Sequence, residues 1–100
     1  MSRKLIVTKE AEVDILHGYL SYEEKQDGLG RRFMDEIKFA CDRILPNPFL
    51  YQEVEPDIRR AVTHKFPYLV FYTFDELTVQ VLAVIHGSQD STYINQRLDA

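Results

Sequence analysis

The most informative stretch of the pattern is residues 58–86, whose runs of apolar, β-branched and aromatic residues predict three successive β-strands. We expect these strands at residues 58–65, 68–74 and 77–86. Phe66 and Pro67 separate the first two strands, because proline has no backbone N–H to donate to a sheet. Asp75 and Glu76 separate the last two strands and predict a hairpin with a two-residue loop.

A two-residue loop sets Phe74 opposite Leu77 and, further along the sheet, Lys65 opposite His86. Because opposed residues share a face of a sheet, this register assigns each side chain to one of two faces. The first face is mostly apolar and is predicted to be the core: Tyr68, Val70, Tyr72, Phe74, Leu77, Val79, Val81, Ala83 and Ile85. The second face is mixed and is predicted to be partly covered or to receive a partner: Leu69, Phe71, Thr73, Thr78, Gln80, Leu82, Val84 and His86.

One short strand pattern and two helical patterns precede residue 58. Residues 4–7 predict a strand, and Thr8 is a suitable N-cap for the helix that follows. The first helix carries apolar residues at helical spacing: Ala11, Ile15, Gly18, Tyr19 and Tyr22. Val13, Leu16 and Leu20 widen its apolar side, so we expect this helix to be covered from two directions. The second helix, with Asp27 as its predicted cap, repeats the spacing: Phe33, Ile37, Ala40, Cys41 and Ile44.

The order of these elements predicts an α+β fold. Pro46 and Pro48 end the second helix, residues 49–57 are expected to form a loop, and residues 92–98 are expected to add a short C-terminal helix. The order β-α-α-β-β-β places a helical hairpin against a mainly antiparallel sheet. A chain of 100 residues is expected to form a single domain spanning residues 1–100.

The amino-acid composition limits the kinds of binding site and the cellular locations that fit this chain. A net charge of −4 argues against non-specific nucleic-acid binding by bulk charge. The single cysteine, Cys41, excludes an internal disulfide and suits a reducing cytoplasm. The three histidines and the cysteine are scattered, so neither a metal site nor a cofactor is predicted. No apolar run is long enough to span a membrane.

Five short segments, taken with the order of elements, resemble the ParE/RelE superfamily, the toxins of bacterial type II toxin–antitoxin systems. They are GLGRRF at residues 28–33, NP at 47–48, IRR at 58–60, FPYLVFY at 66–72 and VLAVIHG at 81–87. The GLGRRF and FPY segments look more like the ParE branch than the RelE branch. The resemblance covers nearly the whole chain and implies a cytoplasmic toxin that a cognate antitoxin protein holds inactive.

The two branches imply different activities. A ParE-like toxin is expected to bind and inhibit DNA gyrase without chemistry of its own. A RelE-like toxin is instead a ribosome-dependent endoribonuclease that cleaves mRNA. A third interpretation is a weakened toxin that retains only antitoxin binding, because the segment after His86 lacks the arginine that the family often has there. Formation of a homodimer is left open.

Each interpretation selects its own residues. A ribonuclease needs proton transfer and phosphate-binding cations, for which the candidates are His86, Arg60 and Lys65. A target-binding surface is predicted from the basic residues Arg59, Arg60 and His64. An apolar patch on the second face predicts the antitoxin-binding residues Leu69, Phe71, Leu82 and Val84. The structural alternatives are that His86 caps its strand and that the two arginines pair with Glu53, Glu55 or Asp57.

Overall fold

The computed structural model describes residues 2–99 and confirms the α+β class. In chain order its elements are β1 (Lys4–Val7), α1 (Lys9–Lys25), α2 (Leu29–Ile44), β2 (Glu53–Glu55), β3 (Ile58–Val62), β4 (Tyr68–Phe74), β5 (Thr78–His86) and α3 (Ser91–Asp99). The predicted helices and the predicted strands are therefore all present. Strand β2 lies within residues 49–57, which were expected to form a loop. The sequence does not reveal this strand because three residues are too few to show a periodic pattern.

The strands form one sheet in the order β1-β5-β4-β3-β2. Strand β1 runs parallel to β5, and every other neighbouring pair is antiparallel, as the predicted mainly antiparallel sheet requires. The sheet thus brings the first strand of the chain beside the last one. Strands β1 and β2 form its two edges.

The helical hairpin depends on contacts that each helix supplies to the other. The predicted cap Asp27 is wrong: Gly28, in the left-handed conformation with φ 87°, is the N-cap of α2 and has no side chain to cap it. The Glu23 carboxylate of α1 replaces that cap, since it accepts hydrogen bonds from the backbone N–H groups of Gly28 (2.9 Å) and Gly30 (3.0 Å). Gly18 admits the Phe33 ring so closely that a Cβ there would lie 2.6 Å from Phe33 Cζ.

The β4–β5 hairpin differs from the predicted register at its turn. Phe74 pairs with Val79 rather than with Leu77, so four residues instead of two lie between the paired positions nearest the turn. The reason is the Asp75 side chain, whose Oδ1 accepts hydrogen bonds from the backbone N–H groups of Leu77 and Thr78, both at 2.8 Å. This shift of two positions keeps Phe74 and Val79 on the predicted core face but leaves Leu77 exposed in the turn.

A β-bulge at Leu82 changes the faces of the remainder of β5. Tyr72 pairs with Val81 but Phe71 pairs with Ala83, so one residue is skipped and the later side chains exchange faces. The predicted faces are therefore wrong for Ala83, Val84, Ile85 and His86. The residue opposite His86 is Tyr68, and the predicted pairing of His86 with Lys65 is also wrong.

Both faces of the sheet carry a core. On one face, which we call the hairpin face, α1 and α2 pack on a large buried cluster that includes Phe33, Ile44, Val70, Tyr72 and Val84. On the other face, the α3 face, a smaller cluster of Phe71, Ala83 and Ile85 is covered in part by Ile94 and Leu98 of α3. The second face is thus occupied by a segment of the same chain.

Candidate functional site

A polar cleft of about 170 Å³ lies at the carboxyl end of β5, between α1 and the start of α3. It contains the one predicted catalytic histidine, and its lining includes Asp14, His17, Tyr68, His86, Gln89 and Tyr93. The bulge at Leu82 explains why His86 is here, because it turns this side chain toward the hairpin face. The cleft is therefore a consequence of the irregular register.

The ring of His86 is held by its own loop. Its Nδ1 accepts a hydrogen bond from the Ser88 backbone N–H at 3.0 Å and lies 2.7 Å from Ser88 Oγ. The ring also meets Tyr68 edge-on, with centroids 5.2 Å apart and planes at 79°. Because Nδ1 accepts from a backbone N–H, the neutral ring carries its proton on Nε2. These contacts fit the alternative in which His86 ends the strand and orders the loop.

The three predicted catalytic residues are not brought together. Arg60 pairs with Phe71 and so projects from the α3 face, whereas His86 pairs with Tyr68 of the hairpin face. Lys65 is exposed in the loop between β3 and β4. A general base and the cations that hold a phosphate must reach the same group, and here the sheet lies between Arg60 and His86.

The predicted target-binding residues are also divided. Arg59 pairs with Tyr72 on the hairpin face, and Arg60, its neighbour, projects from the opposite face. His64 is exposed after β3 and lines a wider cleft of about 520 Å³ with Arg32, Phe39 and Lys65. Arg59, Arg60 and His64 thus form no single surface.

The expected ion pairs of Arg59 and Arg60 are wrong. Within residues 2–99, no carboxylate oxygen lies within 4.0 Å of either guanidinium. Arg59 Nη1 donates instead to the Tyr51 carbonyl at 2.7 Å, and Glu53 accepts a hydrogen bond from the Asp57 backbone N–H. The guanidinium of Arg59 lies over the rings of Phe49 and Phe74.

The predicted antitoxin-binding patch is not one exposed surface. Phe71 and Val84 are each only 2% exposed, and they belong to the cores on opposite faces of the sheet. Leu69 is half-buried against Phe71, and Leu82, at the bulge, lines a cleft with Thr8 and Leu98. The bulge moved Val84 to the hairpin face, and α3 covers much of what remains.

An exposed apolar surface lies instead on α1. Val13, Leu16 and Leu20, here called the α1 stripe, are each about half exposed, at 49%, 53% and 51%. Beside them is an apolar trough of about 450 Å³ whose lining includes Ile15, Tyr19 and Met34. Exposed glutamates flank the stripe at positions 10, 12 and 24. The sequence predicted this second apolar side of α1, but the expectation that it is covered is wrong, because the sheet and α2 pack on the other side of the helix.

A partly buried ion pair connects α3 to α1, and no pattern in the sequence predicted it. Arg97 donates two hydrogen bonds to Asp14, from Nη1 at 2.8 Å and from Nη2 at 2.7 Å. Asp14 Oδ2 also accepts a hydrogen bond from the Val84 backbone N–H at 3.0 Å. Val84 lies in the part of β5 that follows Val81, where the pairing of β5 with β1 ends. The Asp14 carboxylate raises the pKa of Arg97 above its usual value. We call this arrangement the Asp14–Arg97 clamp.

The remaining candidate groups suggest no further chemistry. The Cys41 thiol is buried, and desolvation raises its pKa to about 11, so the thiolate is scarce at neutral pH. In residues 2–99, no three or more histidine, cysteine, aspartate or glutamate side chains are grouped as metal ligands. No helix in this part of the chain has both the length and the apolar character needed to cross a membrane.

Comparison with known proteins identifies a matching family model and similar solved structures. A family model described as the ParE toxin of the type II toxin–antitoxin system parDE matches residues 5–91. A solved structure described as the chromosomal ParDE TA system from P. aeruginosa aligns with a TM-score of 0.63 and 13% sequence identity, over 84% of this chain and 95% of that chain. The structural likeness at this identity concerns the fold. No curated protein sequence matches the chain.

Proposed function

Because this chain belongs to the ParE toxin family of type II toxin–antitoxin systems, we propose that it inhibits DNA gyrase by binding and that a cognate antitoxin neutralises it. The match over residues 5–91 is the observation that carries the proposal. The proposal includes that the protein acts in the bacterial cytoplasm, where these two partners would meet it. On this proposal, the chain acts as a binding protein and performs no reaction.

The arrangement of basic and proton-transferring residues supports binding over mRNA cleavage. Arg60 and His86 project from opposite faces of the sheet, and His86 Nδ1 is occupied by the Ser88 backbone N–H. A ribosome-dependent nuclease with these residues would need a rearrangement of the strands.

We propose that the antitoxin binds the α1 stripe rather than the patch around Phe71. An exposed apolar helix face flanked by polar residues is typical of a surface that binds a partner helix. The flanking glutamates Glu10, Glu12 and Glu24 favour a partner helix with basic residues beside its apolar side. The same negative charges oppose the pairing of two copies of this chain through α1.

The proposal is tested by induced expression in bacteria without antitoxin, with protein synthesis and DNA synthesis measured in the first minutes. We expect amino-acid incorporation to continue while DNA synthesis fails. An immediate stop of protein synthesis would contradict the proposal and support mRNA cleavage. Unchanged growth with folded protein present would instead support a weakened toxin.

A further inference from the structure

Two arginines lie over one phenyl ring at the end of the sheet that carries the β4–β5 turn. The Cζ atoms of Arg3 and Arg59 are 5.4 Å and 5.8 Å from the centroid of the Phe74 ring. Phe49 meets Phe74 edge-on, with centroids 4.9 Å apart and planes at 80°, and Arg59 also lies 5.3 Å from the Phe49 centroid. We call Arg3, Phe49, Arg59 and Phe74 the arginine–phenylalanine cluster.

The fold uses only part of the hydrogen-bonding capacity of these arginines. Arg3 Nε donates to the Asp75 carbonyl at 2.7 Å, and Arg59 Nη1 donates to the Tyr51 carbonyl at 2.7 Å. A guanidinium has several further N–H donors in a planar fork that matches a carboxylate. No carboxylate oxygen in residues 2–99 lies within 4.0 Å of either guanidinium.

The acidic residues of the adjacent turn form no ion pair with the cluster within residues 2–99, although the charge of Asp75 acts on Arg3 through space. Asp75 Oδ1 already accepts from the Leu77 and Thr78 backbone N–H groups and lies 3.2 Å from Thr78 Oγ1. Glu76 is exposed and forms no ion pair within 4.0 Å in the described part of the chain. Two arginines are therefore held on aromatic rings without a carboxylate partner, in a chain whose net charge is −4.

Exposed apolar side chains accompany these charges. Phe49 is 64% exposed, and Leu77, in the turn that Arg3 contacts, is 71% exposed. These are the highest exposures among the large apolar side chains of residues 2–99. Aromatic residues and arginine side by side are typical of the centres of protein interfaces.

We propose that the arginine–phenylalanine cluster is a docking surface for a protein segment that presents carboxylates beside an aromatic or aliphatic side chain. The guanidiniums would bind the carboxylates, and Phe49 and Leu77 would contact the apolar side chain. A nucleic acid suits this surface less well, because its dense negative charge is repelled by the negative net charge of the whole chain. The segment also differs from the basic helix proposed for the α1 stripe, and this inference does not depend on gyrase as the target.

The test titrates the isotopically labelled full chain with a random copolymer of glutamate and tyrosine and follows it by NMR. We expect shifts of the Arg3 and Arg59 side-chain N–H signals and of the backbone amides of residues 74–78. Arg3→Gln and Phe49→Ala should each weaken binding, and the Arg3→Gln/Arg59→Gln pair should weaken it by about tenfold or more. Replacing Arg59 removes its hydrogen bond to the Tyr51 carbonyl and could therefore disturb the fold. Arg3→Gln and Phe49→Ala leave that hydrogen bond in place, so they test binding without this effect.

Two arginines provide matched controls. Arg43 lies 6.0 Å from the centroid of another exposed ring, Phe39, and Arg60 follows Arg59 but projects from the other face. Arg43→Gln and Arg60→Gln should leave copolymer binding unchanged. The proposal is overturned if these controls weaken binding equally, or if no shifts occur at millimolar copolymer. It is also overturned if a lysine–tyrosine copolymer or oligothymidylate binds as well with the same dependence on Arg3.

Discussion

At the scale of single residues, Asp14 connects three separate elements. Its carboxylate accepts from Val84 in β5 and from Arg97 in α3, while its backbone belongs to α1. The side chains of Arg97 and Asp14 are only 19% and 13% exposed, so solvent screens this pair less than the surface pairs. Asp14 therefore orders the bulged part of β5 and attaches the last helix.

Arg97→Ala is expected to lower the free energy of unfolding by about 2 kcal/mol, because the partly buried Asp14 carboxylate loses its charged hydrogen-bond donor. Denaturant unfolding measures this, with the exposed Arg43→Ala as the matched control. The Asp14→Asn/Arg97→Ala pair should cost less than the sum of the two single changes. Equal stability of Arg97→Ala and Arg43→Ala, within about 0.5 kcal/mol, would refute a stabilising clamp.

Cys41 gives a prediction about pH. Burial raises the pKa of its thiol from 9.0 to about 11, so the folded state favours the neutral thiol. This contribution is fully present below a pH of about 9 and is lost as the pH rises through about 11. Between these values, wild type should lose about 2 to 3 kcal/mol of unfolding free energy relative to Cys41→Ala. Parallel pH profiles of the two proteins would show that the thiol has no such role.

At the scale of elements, the helices and strands followed from local patterns, but their relative placement did not. The spacing of Phe33, Ile37 and Ile44 identifies a buried helix face from the sequence alone. The bulge at Leu82 has no glycine to mark it, and it alone moves Val84 to the opposite face from Phe71. Asp14 and Arg97 are 83 positions apart, and no local pattern relates them.

The dependence on long-range placement also explains why the predicted site residues do not lie together. Arg59, Arg60 and His86 were identified as basic groups near strand ends, but their faces depend on register and on the bulge. The prediction places Phe71 and Leu69 correctly on the second face but Val84 wrongly, and only the fold shows that α3 lies beside Phe71. Replacing Phe71 with aspartate is therefore expected to unfold the protein rather than to weaken one interface.

The α1 stripe allows a direct test of antitoxin binding. Leu16→Glu should weaken antitoxin binding by about 2 kcal/mol or more, because it places a charge in the centre of the proposed apolar contact. Its unfolding free energy should change by less than about 0.5 kcal/mol, since Leu16 is 53% exposed. Ser21→Glu adds the same charge elsewhere on α1 and is the control. Calorimetry with the cognate antitoxin measures the affinity of both variants, and equal affinities would exclude the stripe.

At the scale of the whole molecule, three surfaces differ in chemistry. The α1 stripe is apolar with an acidic rim, the arginine–phenylalanine cluster is cationic and aromatic, and the cleft at His86 is polar. The stripe and the cluster lie on different elements and share no residue. Such a division suits a small toxin that must engage both an antitoxin and a target.

The claim that this toxin acts by binding gyrase is tested most directly in a supercoiling reaction with purified gyrase and relaxed plasmid. We predict that the purified chain blocks supercoiling and that added antitoxin restores it. A Leu16→Glu toxin should still block the reaction but should resist the antitoxin. Full supercoiling at saturating, folded toxin would contradict the account.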